Sequence, residues 1–576
     1  MFHPHSPSRR AFLRRCLAGA AVGGLQLGAG EVLAAPGYRP TAGTPDARRR
    51  VALNIARAPL TIDGRTVETT LIDGSLPGPL LRFREGDEVE IAVTNHLDED
   101  TSLHWHGILL PTGMDGVPGF SFPGIAPGET FVYRYRLRQY GTYWYHSHSG
   151  FQEQTGVYGP LVIDAAGQAP VAWDREHVLL LSDWTFDDPA DVLLRLKQQA
   201  HYYNWGRPTL AGLFAAEEPG AELQQRTMWA GMRMDASDLA DVSAATYRYL
   251  LNGHTPAMGW RGAFTPGERV LLRLINGSAM SILDFRIPGL VLTVVAADGQ
   301  PVVPVATDEI RIGVAETYDV IVEPREAGAY ALFAESLDRS GFALGTLATG
   351  PAELAAPPAR RPRVRRDMRD MSMPGHDHDA HPTQSAGTAG EHAGHHQHHA
   401  ASPAWTHGPD HHGAGNSMIA YAATNRLAEP GIGLDDAPHR VLRYSELQAP
   451  ATWPDQRPPG RTIELHLTGN MERYMWSFDG VAFSEVDGPI ELAHGERVRL
   501  VLVNDTMMEH PIHLHGLWME LENGHGALNP RKHTILVKPN ERLGVLVSAT
   551  EPGLWAFHCH LLYHMEMGMF RAVRVA

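Results

Sequence analysis

The C-terminal end of the chain places a cysteine, histidines and a methionine at spacings that suit a metal site. Cys559 lies between His558 and His560. His564 follows the cysteine by five residues, and Met569 follows His564 by five more. A thiolate, two imidazoles and a weak axial thioether form the ligand set of blue-copper electron-transfer sites. We therefore expect Cys559 to bind copper, with one more histidine brought to the site by the fold.

The position of the cysteine between two histidines predicts a pair of linked metal centres. Neighbouring residues of a β-strand point to opposite faces, whereas residues two apart point to the same face. Cys559 can therefore bind one copper while His558 and His560 reach a second centre behind it. The backbone then joins the two centres through a few covalent bonds, which is a short route for an electron.

Two matched spacings recur three times along the chain of 576 residues. In each copy a glycine precedes an asparagine by nine residues, and a glutamate precedes a second glycine by twelve. The asparagines are Asn95, Asn276 and Asn504, and the glutamates are Glu129, Glu316 and Glu541. Apolar residues alternate ahead of each asparagine, which indicates a half-buried strand. The sequence thus predicts an all-β fold with three copies of one β-sandwich domain.

The three copies differ in their metal-ligating residues. We expect a first domain at residues 45–167, a second at 168–350 with an insertion at 189–241, a linker at 351–418 and a third domain at 419–576. The linker is rich in methionine and histidine and has a composition that cannot bury a core. The second domain has Asp284-Phe285-Arg286 where the other two have histidines, so we expect it to serve for spacing and packing.

The N-terminus predicts export from the cytoplasm. Arg9 and Arg10 form a twin-arginine motif, and a small-residue apolar run follows, so residues 1–34 form a cleavable signal peptide. We expect a periplasmic protein without a transmembrane span, in which Cys559 is the one remaining cysteine and internal disulfides are excluded. The net charge of −16 argues against a nucleic-acid partner.

Eight histidines form four His-x-His pairs, two pairs in the first domain and two in the third. The pairs are His104/His106, His146/His148, His513/His515 and His558/His560. On a strand, both rings of a pair leave from one face. Eight imidazoles that converge between two domains can hold three metal ions, and the adjoining cysteine site favours copper over zinc or iron.

Four motifs make the sequence resemble the three-domain multicopper oxidases, most closely the bacterial copper-resistance protein A branch. The motifs are His104-Trp105-His106-Gly107, Tyr145-His146-Ser147-His148, His510-Pro511-Ile512-His513-Leu514-His515-Gly516 and the segment from His558 to Met569. The resemblance covers nearly the whole mature chain and implies cupredoxin-like Greek-key domains. It also implies four copper ions: one of type 1, one of type 2 and a type 3 pair.

The resemblance assigns ligands to each copper. The implied ligands are His510, Cys559, His564 and Met569 for type 1, His104 and His513 for type 2, His106, His146 and His560 for one type 3 ion, and His148, His515 and His558 for the other. In this family a small reductant gives electrons to the type 1 copper, and the other three coppers reduce O₂ to water. Because one chain holds all the ligands, we expect a monomer.

The resemblance also implies acidic residues that deliver protons during O₂ reduction. Asp115, in Asp115-Gly116-Val117-Pro118, resembles the family's acid near the type 2 copper. In some relatives an acid directly follows the histidine that matches His564, but here that residue is Met565 and the nearest acid is Glu566. We expect catalytic roles for Asp115 and Glu566, and the identity of the second proton donor stays open.

Three sets of methionines favour Cu(I) as the oxidised substrate, because thioether sulfur is a soft ligand that selects Cu(I). They are Met507 and Met508 before His510, Met228, Met232 and Met234 in the insertion, and Met368, Met371 and Met373 ahead of a histidine tract in the linker. Each set could instead serve packing or a solvated linker. Two alternatives stay open: a laccase-like phenol oxidase with an apolar groove beside His564, and a copper-sequestering binding protein.

Overall fold

The computed structural model of the protein describes residues 48–232, 234–351, 354–367, 370 and 413–576. These residues belong to one unit, Pro40–Ala576. The expected signal peptide, Met368, Met371, Met373 and the histidine tract of the linker lie outside the described residues. None of the described helices is long and apolar enough to cross a membrane.

Two four-stranded sheets form the first repeat. The elements are β1 (Arg48–Ile62), β2 (Arg65–Ile72), β3 (Leu81–Arg84), β4 (Glu88–Asn95), β5 (His104–His106), β6 (Thr130–Arg136), β7 (Gly141–His146), α1 (Gln152–Thr155) and β8 (Tyr158–Asp164). The sheet orders are β2-β1-β4-β6 and β3-β8-β7-β5. Buried aromatic side chains fill the space between the sheets, where Trp105 of β5 meets Tyr133 of β6 with ring centroids 5.2 Å apart.

Two larger sheets form the middle repeat, which also carries three helices in the expected insertion. The elements are β9 (Arg175–Trp184), α2 (Pro189–Gln198), α3 (Leu210–Phe214), α4 (Pro219–Gly231), β10 (Arg248–Leu251), β11 (Trp260–Ala263), β12 (Val270–Asn276), β13 (Leu283–Arg286), β14 (Leu292–Ala297), β15 (Gln300–Thr307), β16 (Glu309–Ile312), β17 (Thr317–Val322), β18 (Ala329–Ser336) and β19 (Phe342–Ala348). The sheet orders are β10-β9-β12-β17-β14-β15 and β11-β19-β18-β13-β16. Asp188 caps α2 by accepting a hydrogen bond from the Ala190 amide, and the helix buries Val192 and Leu196.

Two sheets again form the third repeat. The elements are β20 (Arg461–Asn470), β21 (Met475–Phe478), β22 (Ile490–Leu492), β23 (Arg497–Asn504), β24 (His510–Leu514), β25 (Met519–Leu521), β26 (Arg531–Lys532), β27 (Thr534–Val537), β28 (Arg542–Ser548), β29 (Gly553–Cys559), α5 (Leu562–Glu566) and β30 (Phe570–Val575). The sheet orders are β21-β20-β23-β28-β25-β26 and β22-β30-β29-β24-β27. The second sheet carries four of the eight residues that the sequence marks as metal ligands in this repeat: His510, His513, His558 and Cys559.

The repeated asparagine and glutamate make the same contact in all three copies. The backbone N–H groups of Asn95, Asn276 and Asn504 donate to the carbonyl oxygens of Glu129, Glu316 and Glu541 at 2.9, 3.1 and 2.9 Å. In the third copy the Asn504 side chain also donates to the carbonyl of Met508 at 2.8 Å. Because these groups are buried and paired, they fix the loop that leads to His510. In each repeat, the asparagine of the recurring spacing therefore marks the end of a strand and the start of the loop in which a metal ligand could follow.

The middle repeat carries other side chains where the third repeat carries imidazoles. β24 and β29 pair His513 with His558. At the corresponding register, β13 and β18 pair Arg286 with Phe333. The middle copy therefore keeps the fold of its neighbours without their imidazoles.

Asp284 is the centre of a buried ion-pair network that joins the middle repeat to the third. Arg339 and Arg311 bind its carboxylate at 2.6 and 2.8 Å. Arg311 also lies 3.2 Å from the carboxylate of Glu509, which directly precedes His510. Beyond the spacing and packing expected from the sequence, the middle repeat thus holds the start of a strand that carries a predicted copper ligand.

Candidate metal centre

Three ligating atoms of the third repeat meet at one buried point. Cys559 ends β29, His510 begins β24 and His564 lies on α5. The two Nδ1 atoms are 3.2 Å apart, and the cysteine Sγ lies 3.5 Å from His510 Nδ1 and 3.8 Å from His564 Nδ1. Met569 is fully buried, and its backbone bonds to Cys559 and His564. Separations of this size suit a trigonal site of one thiolate and two imidazoles with a thioether beside it.

Protein atoms occupy the outer nitrogens of these two histidines, which leaves their Nδ1 atoms facing inward. Thr506 Oγ1 lies 2.7 Å from His510 Nε2, and Asp241 Oδ2 lies 2.6 Å from His564 Nε2. Burial raises the pKa of the Cys559 thiol well above its usual range. A thiolate at this point therefore needs a cation beside it, and a copper ion meets that need. The residues fit the metal that the sequence predicts.

The eight paired histidines of the first and third repeats meet in a second buried site. They are His104, His106, His146, His148, His513, His515, His558 and His560. The ligating nitrogens of His106, His146 and His560 lie within 4.8 Å of one another, as do those of His104, His148 and His515. His515 Nε2 also lies 3.0 Å from His558 Nε2, and His513 stacks on His106 with ring centroids 3.8 Å apart. The fold thus brings all eight rings together.

Backbone carbonyls decide which nitrogen of several of these rings faces the site. The Nδ1 atoms of His104, His146, His513 and His558 lie 2.8, 3.1, 2.6 and 3.0 Å from the carbonyl oxygens of Asp115, Ser147, His533 and Cys559. A carbonyl only accepts, so Nδ1 carries the proton and Nε2 keeps its lone pair. Six of the eight rings have a buried Nε2 without a hydrogen-bond partner in the described part of the chain. Buried lone pairs of this kind fit metal ligation.

Burial keeps most of the histidines of this site neutral. It lowers the pKa of His106, His146, His148, His513, His515 and His560 well below the ordinary value, and neighbouring imidazoles lower it further. For His558, burial lowers the pKa to about 4. Metal ions bind the neutral imidazole, so these rings are ready to ligate at neutral pH.

Asp115 contacts two histidines of the site. Its Oδ2 lies 2.8 Å from His515 Nδ1, and its Oδ1 lies 3.3 Å from His104 Nδ1. Gly116 makes this turn possible, since a Cβ there would lie 1.8 Å from the carbonyl oxygen of Leu103. Asp115 is therefore where an acid near the type 2 copper is expected, and its role in proton delivery stays a prediction.

Glu566, the other acid that the sequence singles out, lies at the end of α5 and is exposed. The contacts that the described residues make do not join it to any of the eight histidines. Its assignment as a proton donor stays a prediction without a supporting contact.

Three residues that sequence reasoning missed touch the predicted ligands. Glu153 Oε2 lies 2.7 Å from His146 Nδ1, and Asp241 Oδ2 lies 2.6 Å from His564 Nε2. His533 is a ninth buried histidine, with a ring nitrogen within 4.8 Å of those of two cluster histidines. None of the three belongs to a repeated spacing or to one of the four motifs, so the sequence held no signal for them beyond residue type.

A cavity of about 610 Å³ begins at Met507 and Met508, just before His510. We call it the methionine cavity; its lining includes Met234, Met471, Met507 and Met508, the acids Asp235, Asp238 and Glu472, and Arg366. Met232 and Met234 pack with Met507 and Trp229, whereas Met228 is 42% exposed. Two of the three methionine sets therefore come together beside the cysteine site, and the third lies outside the described residues.

Family models described as multicopper oxidase match residues 54–168, 175–352 and 456–576. The chain belongs to the multicopper oxidase family. It is a copper-dependent oxidoreductase whose cofactors are four copper ions, one of type 1, one of type 2 and a type 3 pair. The predicted all-β fold of cupredoxin-like domains is confirmed.

The chain is similar to copper resistance proteins over nearly its full length. A copper resistance protein A homolog of Pseudomonas syringae pv. tomato is 50% identical, covering 99% of this chain and 100% of that protein. Copper resistance protein A of Escherichia coli is 47% identical, covering 99% of each. Fet3p, a multicopper oxidase that functions in iron import, has a TM-score of 0.64 at 19% identity, covering 92% of this chain and 90% of that structure. The laccase of Botrytis aclada has a TM-score of 0.61 at 23% identity, covering 92% and 88%.

Proposed function

We propose that this protein oxidises Cu(I) to Cu(II), couples the oxidation to four-electron reduction of O₂ to water, and thereby serves copper resistance. The observation that supports Cu(I) as the substrate is the methionine cavity, which opens beside a predicted type 1 ligand. Two similar proteins are named for copper resistance, which supports the same role.

The close grouping of ligating atoms supports the type 1 set and one type 3 triad, and the meeting of all eight rings supports the remaining assignments. We assign His510, Cys559, His564 and Met569 to type 1, His104 and His513 to type 2, His106, His146 and His560 to one type 3 ion, and His148, His515 and His558 to the other. Bound there, the four ions would supply one-electron redox chemistry, so that four electrons from the substrate and four protons convert one O₂ to two waters. Asp115, which contacts two of the ligands, is the acid to which we assign proton delivery for that reduction.

Strand β29 supplies the route between the two sites. Cys559 contributes its Sγ to the trigonal site, while its neighbours His558 and His560 contribute to the cluster, as the alternating faces of a strand require. In the sheet, Cys559 pairs with Ile512 and His558 pairs with His513. A single peptide bond separates the cysteine from each neighbouring histidine, so the path for the electron is covalent and short.

The methionine cavity offers Cu(I) the ligands that it prefers. Thioether sulfur is soft and selects Cu(I) over harder ions. Burial raises the pKa of Asp238, and the charges of Asp241 and Asp235 raise it further. A cation bound beside Asp235 and Asp238 relieves the mutual repulsion of these acids, which favours a positively charged substrate on that side of the cavity. Four arginines, Arg207, Arg226, Arg365 and Arg366, also line the cavity.

Asp241 connects the surroundings of the methionine cavity to the type 1 site. Its Oδ2 accepts hydrogen bonds from His564 Nε2 at 2.6 Å and from the Tyr474 hydroxyl at 2.8 Å. The charge of Asp241 also raises the pKa of Asp238, so the acid that bonds a proposed type 1 ligand acts on an acid that lines the cavity. This arrangement supports direct transfer of an electron from the substrate to the type 1 site.

We further propose that the protein acts in the periplasm as a monomer. The twin arginines Arg9 and Arg10 support export, although they lie outside the described residues. All the ligands proposed for the four coppers come from one chain, which supports a self-sufficient monomer.

Oxygen uptake with Cu(I) and with a bulky phenol as alternative electron donors tests the proposed substrate. Steady uptake with Cu(I) supports a cuprous oxidase, whereas faster turnover of the phenol favours the laccase-like alternative. A copper-sequestering protein would bind the added copper and consume no O₂ beyond a single stoichiometric burst.

Variants of the methionine cavity sharpen this test. Met234→Leu with Met507→Leu removes two thioethers at nearly constant volume, so Cu(I) oxidation should slow while the blue band persists. Met258→Leu is the matched control, because Met258 is 41% exposed and does not line the cavity. An equal loss of Cu(I) oxidation in the control, or no loss in the double variant, would contradict a role for these sulfur atoms.

A further inference from the structure

A buried glutamate backs one of the cluster histidines. Glu153 is 3% exposed, and its Oε2 lies 2.7 Å from His146 Nδ1. The same nitrogen lies 3.1 Å from the carbonyl oxygen of Ser147. The carbonyl can only accept a hydrogen bond, so the ring carries its proton at Nδ1 and offers Nε2, which has no hydrogen-bond partner in the described part of the chain.

Asp115 makes the equivalent contact on the other side of the cluster. Its Oδ2 lies 2.8 Å from His515 Nδ1. In the ligand set proposed above, His146 and His515 belong to different ions of the type 3 pair. Each type 3 ion therefore has one histidine whose Nδ1–H group is bonded to a buried carboxylate. Such a bond orients the ring and makes its other nitrogen a better ligand.

Helix α1 holds Glu153 in place from both sides. The preceding residue, Gln152, accepts a hydrogen bond from the Thr101 hydroxyl at 2.6 Å. The following residue, Gln154, accepts one from the Tyr247 hydroxyl at 2.6 Å. All three consecutive polar residues of the helix are buried. The carboxylate of Glu153 is thus directed at His146 by a backbone that its neighbours anchor.

Stability of the fold does not account for this glutamate. Its second carboxylate oxygen, Oε1, is buried without a hydrogen-bond partner in the described part of the chain. Burying a carboxyl group with one unpaired oxygen is costly, and an apolar side chain of similar size avoids that cost. The benefit must therefore come from the contact that the other oxygen makes.

We propose that Glu153 is a positioning residue for the type 3 pair, holding the His146 ring so that its Nε2 faces the metal. It acts on the copper only through His146. The inference rests on membership of the multicopper oxidase family and on the ligand set above, and it is independent of whether Cu(I) or a phenol is oxidised.

Two substitutions separate the contact from the charge. Glu153→Asp keeps the charge but is one methylene shorter and loses the reach to His146 Nδ1. Glu153→Gln loses the charge but keeps the reach and an oxygen that accepts. Loss of such a contact weakens metal binding by about 10–100-fold, so the Asp variant should retain less copper after dialysis against a chelator. The Gln variant should retain the wild-type amount.

Electron paramagnetic resonance gives a readout besides activity. The two type 3 ions are silent when they form a coupled pair, so the Asp variant should show a new copper signal and the Gln variant should not. Glu68→Gln, an exposed acid of the same repeat, is the matched control and should match the wild type. Thermal unfolding of the copper-free proteins, together with the blue band of the loaded ones, establishes that each variant folds.

Three results would overturn the proposal. The Asp variant could keep its copper and show no new electron paramagnetic resonance signal, which would mean that the contact between residue 153 and His146 does not matter. The Gln variant could lose the type 3 pair while the Asp variant keeps it, which would mean that charge alone matters. Both variants could lose it, which would mean that an accepting oxygen at this reach does not suffice.

Discussion

Asp241 of the middle repeat bonds at 2.6 Å to Nε2 of His564, which lies on α5 in the third repeat. Both side chains are fully buried, so water does not weaken the contact. The middle repeat thus contacts the proposed type 1 site, although none of its residues belongs to the ligand set proposed for that site. A change at Asp241 therefore alters the surroundings of the type 1 copper from outside its proposed ligand set.

Asp241→Asn should slow Cu(I) oxidation while the protein stays blue. The amide removes the negative charge that favours an approaching cation and weakens the bond to His564. We expect kcat/KM for Cu(I), measured by oxygen uptake, to fall by about 10-fold, or roughly 1.4 kcal/mol of transition-state stabilisation. Asp98→Asn, an exposed acid of the first repeat, is the control. If Asp241→Asn oxidised Cu(I) as fast as the control variant, Asp241 would have no role in electron transfer from the substrate.

Cys559→Ser should abolish the blue colour and the oxidase activity. The colour of a type 1 site comes from the bond between copper and thiolate sulfur, and a serine oxygen does not provide it. Copper in the cluster should remain, because none of the eight cluster histidines is changed. Absorbance spectra and copper analysis test both statements, and a variant that stayed blue would show that the thiolate lies elsewhere.

The copper-free protein should lose stability as the pH falls below about 6.5. Burial lowers the pKa of seven of the eight cluster histidines in the folded state, that of His558 to about 4, whereas unfolded histidines titrate near 6.5. Below that pH the unfolded state binds more protons, so the free energy of unfolding falls. Denaturant titrations at about pH 7.5 and about pH 5.5 measure this.

His558→Asn provides the comparison for that pH dependence. The raised pKa of a buried acid such as Glu153 acts in the opposite direction, so the difference between the wild type and the variant isolates the histidine. The variant should lose less stability between the two pH values than the wild type does. If both proteins lost the same free energy of unfolding between the two pH values, the low pKa assigned to His558 would be wrong.

Deleting residues 371–412 should slow Cu(I) oxidation at low copper and leave phenol oxidation and the blue band nearly intact. Methionine and histidine in this tract can gather copper and raise its local concentration without any fixed structure. The deletion should begin only after Asp370, because that residue binds Arg426 at 2.7 Å. If the deletion changed neither the kinetics of Cu(I) oxidation nor the amount of copper bound per chain, the tract would serve only as a linker.

The fold could be predicted from the sequence because its spacing recurs. Asn504 and Glu541 are far apart in the chain, yet their backbone contact is repeated by the matching residues of the other two copies. The imidazole pairs could be predicted for a related reason, since residues two apart on a strand share a face. The exact domain boundaries and the role of each site residue stay predictions.

Glu153 and Asp241 could not be predicted, because their contacts depend on tertiary structure alone. Glu153 lies on a helix of four residues that follows a loop, and no periodicity foretells where its side chain points. Asp241 comes from the insertion, whose helices have no counterpart in the other two repeats. A single acid in such a segment looks the same in sequence whether it faces solvent or a metal ligand.

The ion pair between Arg311 and Glu509 and the hydrogen bond of Asp241 give the middle repeat two contacts with the proposed type 1 site. Substitutions in the middle repeat can therefore adjust the driving force of the oxidase while the proposed copper ligands stay constant. When related enzymes use different electron donors, their sequences should accordingly differ most in the middle repeat. For an engineer, the middle repeat is the place to randomise when a new donor is wanted and the oxygen chemistry must be kept.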